Sequence, residues 1–379
     1  MDFSLTEEQE LLRRTAREFL AAECPPAFVR RLASEEDGFS SSFHRGISAL
    51  GWPGLVVPEA YGGQGLGFLE AALLLEEFGR AAAPGYFAPS YVLAAAALRS
   101  ASPRLARSWL PRLATGEAIG TVALFEESEL LDARGVTGRA RRTRGGFVLR
   151  GKKLFVPYAR VADFFLAPFR LGSGIPLFFV PKETPGIRIE ELSSYDLTRR
   201  LYEVHFHDVR VPEEHALFPK ASPWSTFDGL LLLGALAVSA DSLGGAESML
   251  ERSVEYSKVR QQFGRPIGSF QALKHMAAEM WVEIEFSRPL VWYAAHLCDT
   301  QPRRASVAVS MAKARTSEVF SSVADRAVQM HGGIGFTWEH DLHFWYKRAM
   351  ANRAAYGDPA FHRERVVSEG LEGRRHASP

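Results

Sequence analysis

Leu11, Leu12, Ala16, Phe19 and Leu20 recur at helical spacing behind Thr6 and Gln9, which stand three apart as a capping box does. Residues 1–115 keep this helical character apart from one break rich in glycine and proline, GWPGLVVPEAYGGQGLG. Helical periodicity resumes over Phe68 to Arg80. Across 116–217 the pattern changes to short runs rich in Val, Phe and Leu, such as AIGTVALF, GFVLRGKKLFV and IPLFFVP. Gly, Pro and charged turns separate them, as they separate strands. Helices return over 224–370, and 371–379 reads as a disordered tail. Helices, then strands, then helices predict an α+β chain with a small β domain between two helical ones.

The longest apolar run, Gly229 to Ala240, is shorter than the ~20 residues a membrane-spanning helix needs, and it predicts a helix buried in a bundle. The 379 residues, 46% hydrophobic and 23% charged, allow a large core under an ordinary soluble surface. A net charge of +1 argues against nucleic acid or an anionic membrane as the main partner. Cys24 and Cys298 are too few and too distant for a disulfide framework or a metal site. The opening MDFSLTEEQE shows no signal-peptide pattern, so a cytoplasmic location is expected. The arginines at 134, 139, 141, 142 and 144, set among glycines, read as a solvated loop.

Two blocks carry chemistry. YSKVRQQFGRPIGSFQ, from Tyr256 to Gln271, predicts a helix ending at an exposed Arg260, a Gly/Pro loop, and a second helix starting near Gln271. An arginine at such a junction offers a planar fork of donors that matches phosphate oxygens. AVQMHGGIGFTWE, from Ala327, predicts a helix running into a glycine turn, where backbone approaches a ligand closely or simply caps the helix.

Together the blocks resemble the acyl-CoA dehydrogenase family, and the resemblance covers nearly the whole chain. LTEEQELLRRTAREF, LGWPGLVVPEAYGGQGLGFLEAALLLEEFGR, GKKLFVPYARVADFF and VHFHDVRVP look like that family's segments and stand in its order. The resemblance implies an amino-terminal helical domain, a central β domain and a carboxyl-terminal four-helix bundle. It also implies a tetramer in which each FAD lies between two subunits, one holding the isoalloxazine ring and its neighbour holding the diphosphate and adenosine. The neighbour's share maps onto Arg260, Gln262, Phe263, Gln271, Gln329, Gly332 and Gly333, with Gln262 where Ser or Thr is usual. Acyl-CoA is the implied substrate and an electron-transferring flavoprotein the implied electron acceptor.

The reaction the resemblance implies needs a carboxylate to take the α proton of a thioester. The family supplies it from one of two places, and this chain has Gly357 and Gly234 there. Further departures fall in the same half. Phe125 replaces a hydroxyl expected to bond the flavin ring, and Glu127 replaces a proline. Phe155 replaces a ring-covering Trp, and Pro157 replaces a Thr or Ser with two donors. Leu232 and Ala235 replace an Asp and Arg that help bind CoA. Such a chain is expected to lack catalysis of its own and to complete the FAD site of a sister subunit, as in the family's α2β2 members. The alternatives are a homotetramer with a displaced base, Asp241 or Asp358, and a flavin monooxygenase of the same superfamily.

Overall fold

The computed structural model describes residues 4–128, 130–218 and 226–375. The amino-terminal region is helical: α1 (Glu7–Glu23), α2 (Pro26–Ser34), α3 (Ser41–Ala49), α4 (Phe68–Arg80), a π-helical stretch (Ala88–Ala94) running into α5 (Ala95–Leu98), and α6 (Pro103–Ala114). The capping box forms as expected, with Thr6 Oγ1 accepting from Gln9 N and Gln9 Oε1 from Thr6 N. The Gly/Pro break folds as short 3-10 turns at Trp52–Gly54 and Glu59–Tyr61.

Two four-stranded sheets follow. One has the order β1 (Gly120–Val122), β4 (Phe164–Pro168), β5 (Leu177–Pro181), β8 (Ala216–Leu217). The other runs β2 (Arg139–Thr143), β3 (Gly146–Pro157), β7 (Leu201–Pro212), β6 (Ile187–Leu192). Only β1 and β4 pair in parallel within these sheets. Inward residues of both sheets, among them Phe147, Leu149, Phe165, Phe178 and Phe206, form a separate core. The arginine run is not a loop. Its centre is β2, an edge strand bonded to β3, with Arg139, Arg141 and Arg142 exposed and Arg142 paired to Glu213 at 2.6 Å. Charge on an edge strand discourages pairing with another sheet, which gives these arginines a structural use.

The carboxyl-terminal helices are α7 (Phe227–Val259), α8 (Gln271–Thr300), α9 (Pro302–His331), α10 (Leu342–Ala354) and α11 (Pro359–Arg375), with a hairpin of β9 (Gln261–Gln262) and β10 (Arg265–Pro266) between α7 and α8. The expected tail from 371 continues α11 as far as Arg375, and 376–379 lie outside the described residues. By length and apolarity α7 could cross a membrane, but its apolar window is entirely buried against protein. It crosses α4 closely because glycine stands at both contacts. A Cβ at Gly79 would lie 2.0 Å from Asp241 O, and one at Gly244 would lie 1.7 Å from Glu76 O. Burying each of Leu230, Leu231 and Leu233 is worth about 1.5–3 kcal/mol relative to exposure.

Candidate functional site

The two sequence blocks meet. Tyr256, near the end of α7, stacks on His331 at the end of α9, with ring centroids 4.4 Å apart and planes at 22°. Arg260 caps α7 in extended conformation, exposed and without an ion pair among the described residues. The β9–β10 hairpin turns through Phe263 (φ +52°) and Gly264 (φ +77°), the two left-handed positions a type I′ turn requires. Phe263 is 91% exposed. An aromatic residue held at positive φ stores roughly 1–3 kcal/mol of strain. Gln262, Gln271 and Gln329 are exposed on the same end, and Gln271 contacts His275 at 3.0 Å.

Gly332 and Gly333 open onto free space, since a Cβ on either would meet nothing within 4 Å. Gly332, at φ +64° and ψ −145°, has a backbone only glycine adopts readily. A groove of about 410 Å³ joins the blocks, with Ser257, Gly268 and Lys274 on one side and Met330 on the other. Exposed donors, a free guanidinium and a bare glycine turn fit a diphosphate and the groove beside it.

A second, larger cavity of about 640 Å³ lies between the β domain, α7 and the turn joining α10 to α11. Its β-domain wall includes Phe125, Phe155 and Pro157, with Ser128 and Ser194 beside them. Pro157 has no N–H, and its carbonyl accepts from Thr121 Oγ1 at 2.7 Å. Phe125, Phe155 and Pro157 supply no side-chain hydroxyl to a flavin carbonyl or ring nitrogen, so these three positions do not fit an isoalloxazine ring as the opposite end of the chain fits a diphosphate.

The turn at Tyr356–Asp358 explains both glycines. Tyr356 (φ +56°) and Gly357 (φ +102°) are both left-handed. Buried Lys313 donates to Gly357 O at 2.8 Å and to Ser317 Oγ at 2.9 Å, while His362 Nε2 meets Tyr356 O at 3.0 Å. The Tyr356 ring then lies on α7 over Gly234, where a Cβ would sit 2.1 Å from Tyr356 Cε1. A Cβ at Gly357 would lie 2.5 Å from Phe361 Cδ1 and 2.9 Å from His362 Nε2. Neither position has room for a glutamate.

Four carboxylates line the cavity among the described residues, and each is engaged elsewhere. Asp241 Oδ1 and Oδ2 accept from Arg348 at 2.6 and 3.0 Å, and Oδ2 also from Arg199 at 2.8 Å and Asn352 at 2.7 Å. Burial alone would raise its pKa, but Arg348 and Arg199 hold it below the usual carboxylate value. Asp358 caps α11 through Phe361 N at 2.8 Å. Glu126 pairs with fully buried Lys153 at 2.5 Å and accepts from Thr137 N at 2.9 Å. Asp196 Oδ1 accepts from Thr198 N at 2.9 Å. Asp241 and Asp358, the candidate displaced bases, are thus a buried ion-pair centre and a helix cap, and a carboxylate bonded by two guanidiniums is a weak base.

Two buried histidines, His362 beside the Tyr356–Asp358 turn and His343 against Trp338, set an acid limit. Burial lowers His362 and His343 to about 4 each, while unfolded imidazoles titrate near 6.5. Between those values the unfolded chain binds protons that the folded chain refuses, so stability is lost as pH falls from 6.5 towards 4. At pH 5 this amounts to about 2 kcal/mol for His362 and less for the more weakly buried His343. Urea unfolding at pH 7 and pH 5 checks it, and His362→Gln is expected to remove part of the slope; a midpoint independent of pH over that range would contradict it.

The stacking of Tyr256 on His331 and the seating of Tyr356 over Gly234 leave no trace in the sequence, because each joins residues distant along the chain. The burial of Lys153 is missed by the sequence reading, although at period two it shares the inward face of β3 with Phe147 and Leu149.

Residues 6–117 match the acyl-CoA dehydrogenase N-terminal domain, and 224–371 match the acyl-CoA dehydrogenase C-terminal domain. Acyl-CoA dehydrogenase IpdE2 of Mycobacterium tuberculosis is 30% identical over 367 residues, 97% of this chain and 98% of that one. The IpdE2 of Mycolicibacterium smegmatis is 32% identical over 367 residues, 96% and 99% of the two chains. Among solved structures, a chain of the ChsE4-ChsE5 complex from Mycobacterium tuberculosis superposes with a TM-score of 0.90 at 30% identity, over 98% of this chain and 99% of that one. Butyryl-CoA dehydrogenase from Megasphaera elsdenii also gives 0.90, at 27% identity over 98% and 100%. Matched at both ends and alike along almost its full length, this chain belongs to the acyl-CoA dehydrogenase family of FAD-dependent oxidoreductases that act on CH–CH bonds.

Proposed function

We propose that this chain is the subunit without a catalytic base in a hetero-oligomeric acyl-CoA dehydrogenase, and that it completes the FAD site of a sister subunit. The observation that carries this reading is the seating of Tyr356 over Gly234, with Gly357 in a left-handed turn, so that both places for the base are closed to a carboxylate. The other half of the site is built as a donor surface. Arg260, Gln262 and the Gly332–Gly333 turn would hold the diphosphate of a neighbour's FAD, with Phe263, Gln271 and Gln329 beside them. Bound there, FAD would supply the hydride acceptor for α,β-desaturation of an acyl-CoA, and the sister would supply ring contacts and base.

A homo-oligomer would bring intact and altered halves together at every site and spoil all of them; a sister with an intact ring half avoids this. Similarity to chains of the ChsE4-ChsE5 and Tcur3481-Tcur3483 structures supports a sister subunit. On α8, Trp281, Val282 and Phe286 are 63%, 49% and 72% exposed, an apolar face of the kind that subunit contacts cover. An electron-transferring flavoprotein is the proposed electron acceptor.

The test is the FAD-to-chain ratio. The chain alone is expected to be colourless and inactive, and the complex with its sister yellow, with about one FAD per pair of chains. Arg260→Ala removes one charge-assisted contact worth roughly 1.5–3 kcal/mol, so the complex should retain FAD about 10- to 100-fold less tightly with both chains still folded. Unchanged retention would remove Arg260 from the site, and a yellow, active preparation of this chain alone would overturn the reading.

A further inference from the structure

We infer that the 640 Å³ cavity is a ligand site that binds without turnover, taking an uncharged, apolar, ring-containing molecule with a hydrogen-bond-accepting oxygen that meets the hydroxyl of Tyr356. The inference rests on the reading of this half as non-catalytic and assigns a use to the space left behind.

The size suits a drug-sized organic molecule. The walls come from three parts of the fold: Leu75 and Phe78 on α4, Phe87 and Leu93 at the π-helical stretch, and Phe125 and Phe155 from the β domain. A site with this lining favours apolar, ring-containing molecules. The lining charges are held by the protein: Asp241 is neutralised by Arg348 and Arg199, Glu126 by Lys153, Asp196 lies 3.7 Å from Arg199, and Asp358 caps α11. Ser194 is engaged as a donor and Ser128 as an acceptor only. Ser128 Oγ accepts from Leu130 N at 3.1 Å, and Ser194 Oγ donates to Asp196 O at 3.0 Å.

Tyr356 differs from these groups. Its ring lines the cavity, and its hydroxyl has no protein partner among the described residues. Burial raises the phenol to about 12, so it is a neutral O–H donor at physiological pH. The donor is also fixed in place. Lys313 and His362 tie the turn carbonyls, the ring rests in the notch left by Gly234, and Phe125 meets it edge to face at 5.6 Å. A preorganised donor in an apolar cavity selects a ligand with an acceptor oxygen, since hydrocarbon alone would cover the half-buried hydroxyl and leave it unpaired.

The probe is the fluorescent ketone 6-propionyl-2-(dimethylamino)naphthalene, which is uncharged and emits further to the blue in apolar surroundings. Titrated against the FAD-loaded complex, it should give a saturable blue-shifted signal, one equivalent per copy of this chain. Tyr356→Phe keeps the ring and removes only the hydroxyl, and should weaken that class roughly 3- to 10-fold. Absence of saturable binding overturns the inference, as does a class that Tyr356→Phe leaves unchanged. Failure of the non-catalytic reading shows separately, as one FAD per chain in the same preparation before any probe is added.

Discussion

Gly234→Glu is expected to destabilise the chain by about 3 kcal/mol or more and to restore no desaturation, although it places a carboxylate where the family resemblance expects one. The new Cβ would meet Tyr356 Cε1 at 2.1 Å and Cδ1 at 2.2 Å, inside any allowed contact. Tyr356 cannot swing aside freely, because Lys313 and His362 hold its turn and Phe125 closes against its ring. Overpacking of this kind costs about 1–3 kcal/mol, and an unpaired carboxylate against apolar lining adds desolvation. Tyr356→Ala alone loses packing, but combined with Gly234→Glu it removes the clash. The double mutant should therefore be more stable than the sum of the singles by more than about 1 kcal/mol. Urea midpoints of the four proteins measure the coupling. Additivity within about 0.5 kcal/mol would mean the ring does not occupy the base position. Gly357→Glu meets a different obstacle, a backbone at φ +102°, which no second substitution relieves.

Much of the fold was legible because its signals are local. A capping pair at Thr6 and Gln9, an uninterrupted 3.6-residue period over Phe68–Arg80 and glycine-bounded apolar runs each report on neighbours in sequence. The arginine run misled for the same reason. Its charge reported solvent correctly, but its pairing with β3 depends on residues later in the chain. Within the candidate site, Arg260 and the glycine turn stood out because exposed donors at helix ends are a sequence pattern. The closure of the base positions did not, since a glycine in sequence says only that a side chain is missing. What fills the space is a tyrosine more than a hundred residues away, and only the packing of α7 against the α10–α11 turn shows it.

Asp241→Asn separates a base from a structural anion by the kind of damage it does. A catalytic carboxylate lining a cavity is replaced by its amide with loss of rate and little loss of fold. Asp241 holds two guanidiniums inside the protein, Arg348 at 2% and Arg199 at 17% side-chain exposure, and Arg348 in turn donates to Ala83 O at 2.8 Å and Thr198 Oγ1 at 3.1 Å. These contacts join α7, α10, the loop before β7 and the segment after α4. Removing the charge leaves Arg348 without its ion-pair partner and Arg199 with only Asp196 at 3.7 Å, and the asparagine N–H₂ must face a donor. Breaking a buried pair by removing one partner costs about 3–5 kcal/mol, a large part of the stability of an ordinary domain. The expected result is a sharp fall in soluble yield and urea midpoint. Asp358→Asn is the contrast: asparagine caps a helix about as well as aspartate, so its midpoint should stay within about 0.5 kcal/mol of the parent. If Asp241→Asn instead folded with an unchanged midpoint, the ion-pair network would not be what holds these elements together, and a chemical role for Asp241 would return.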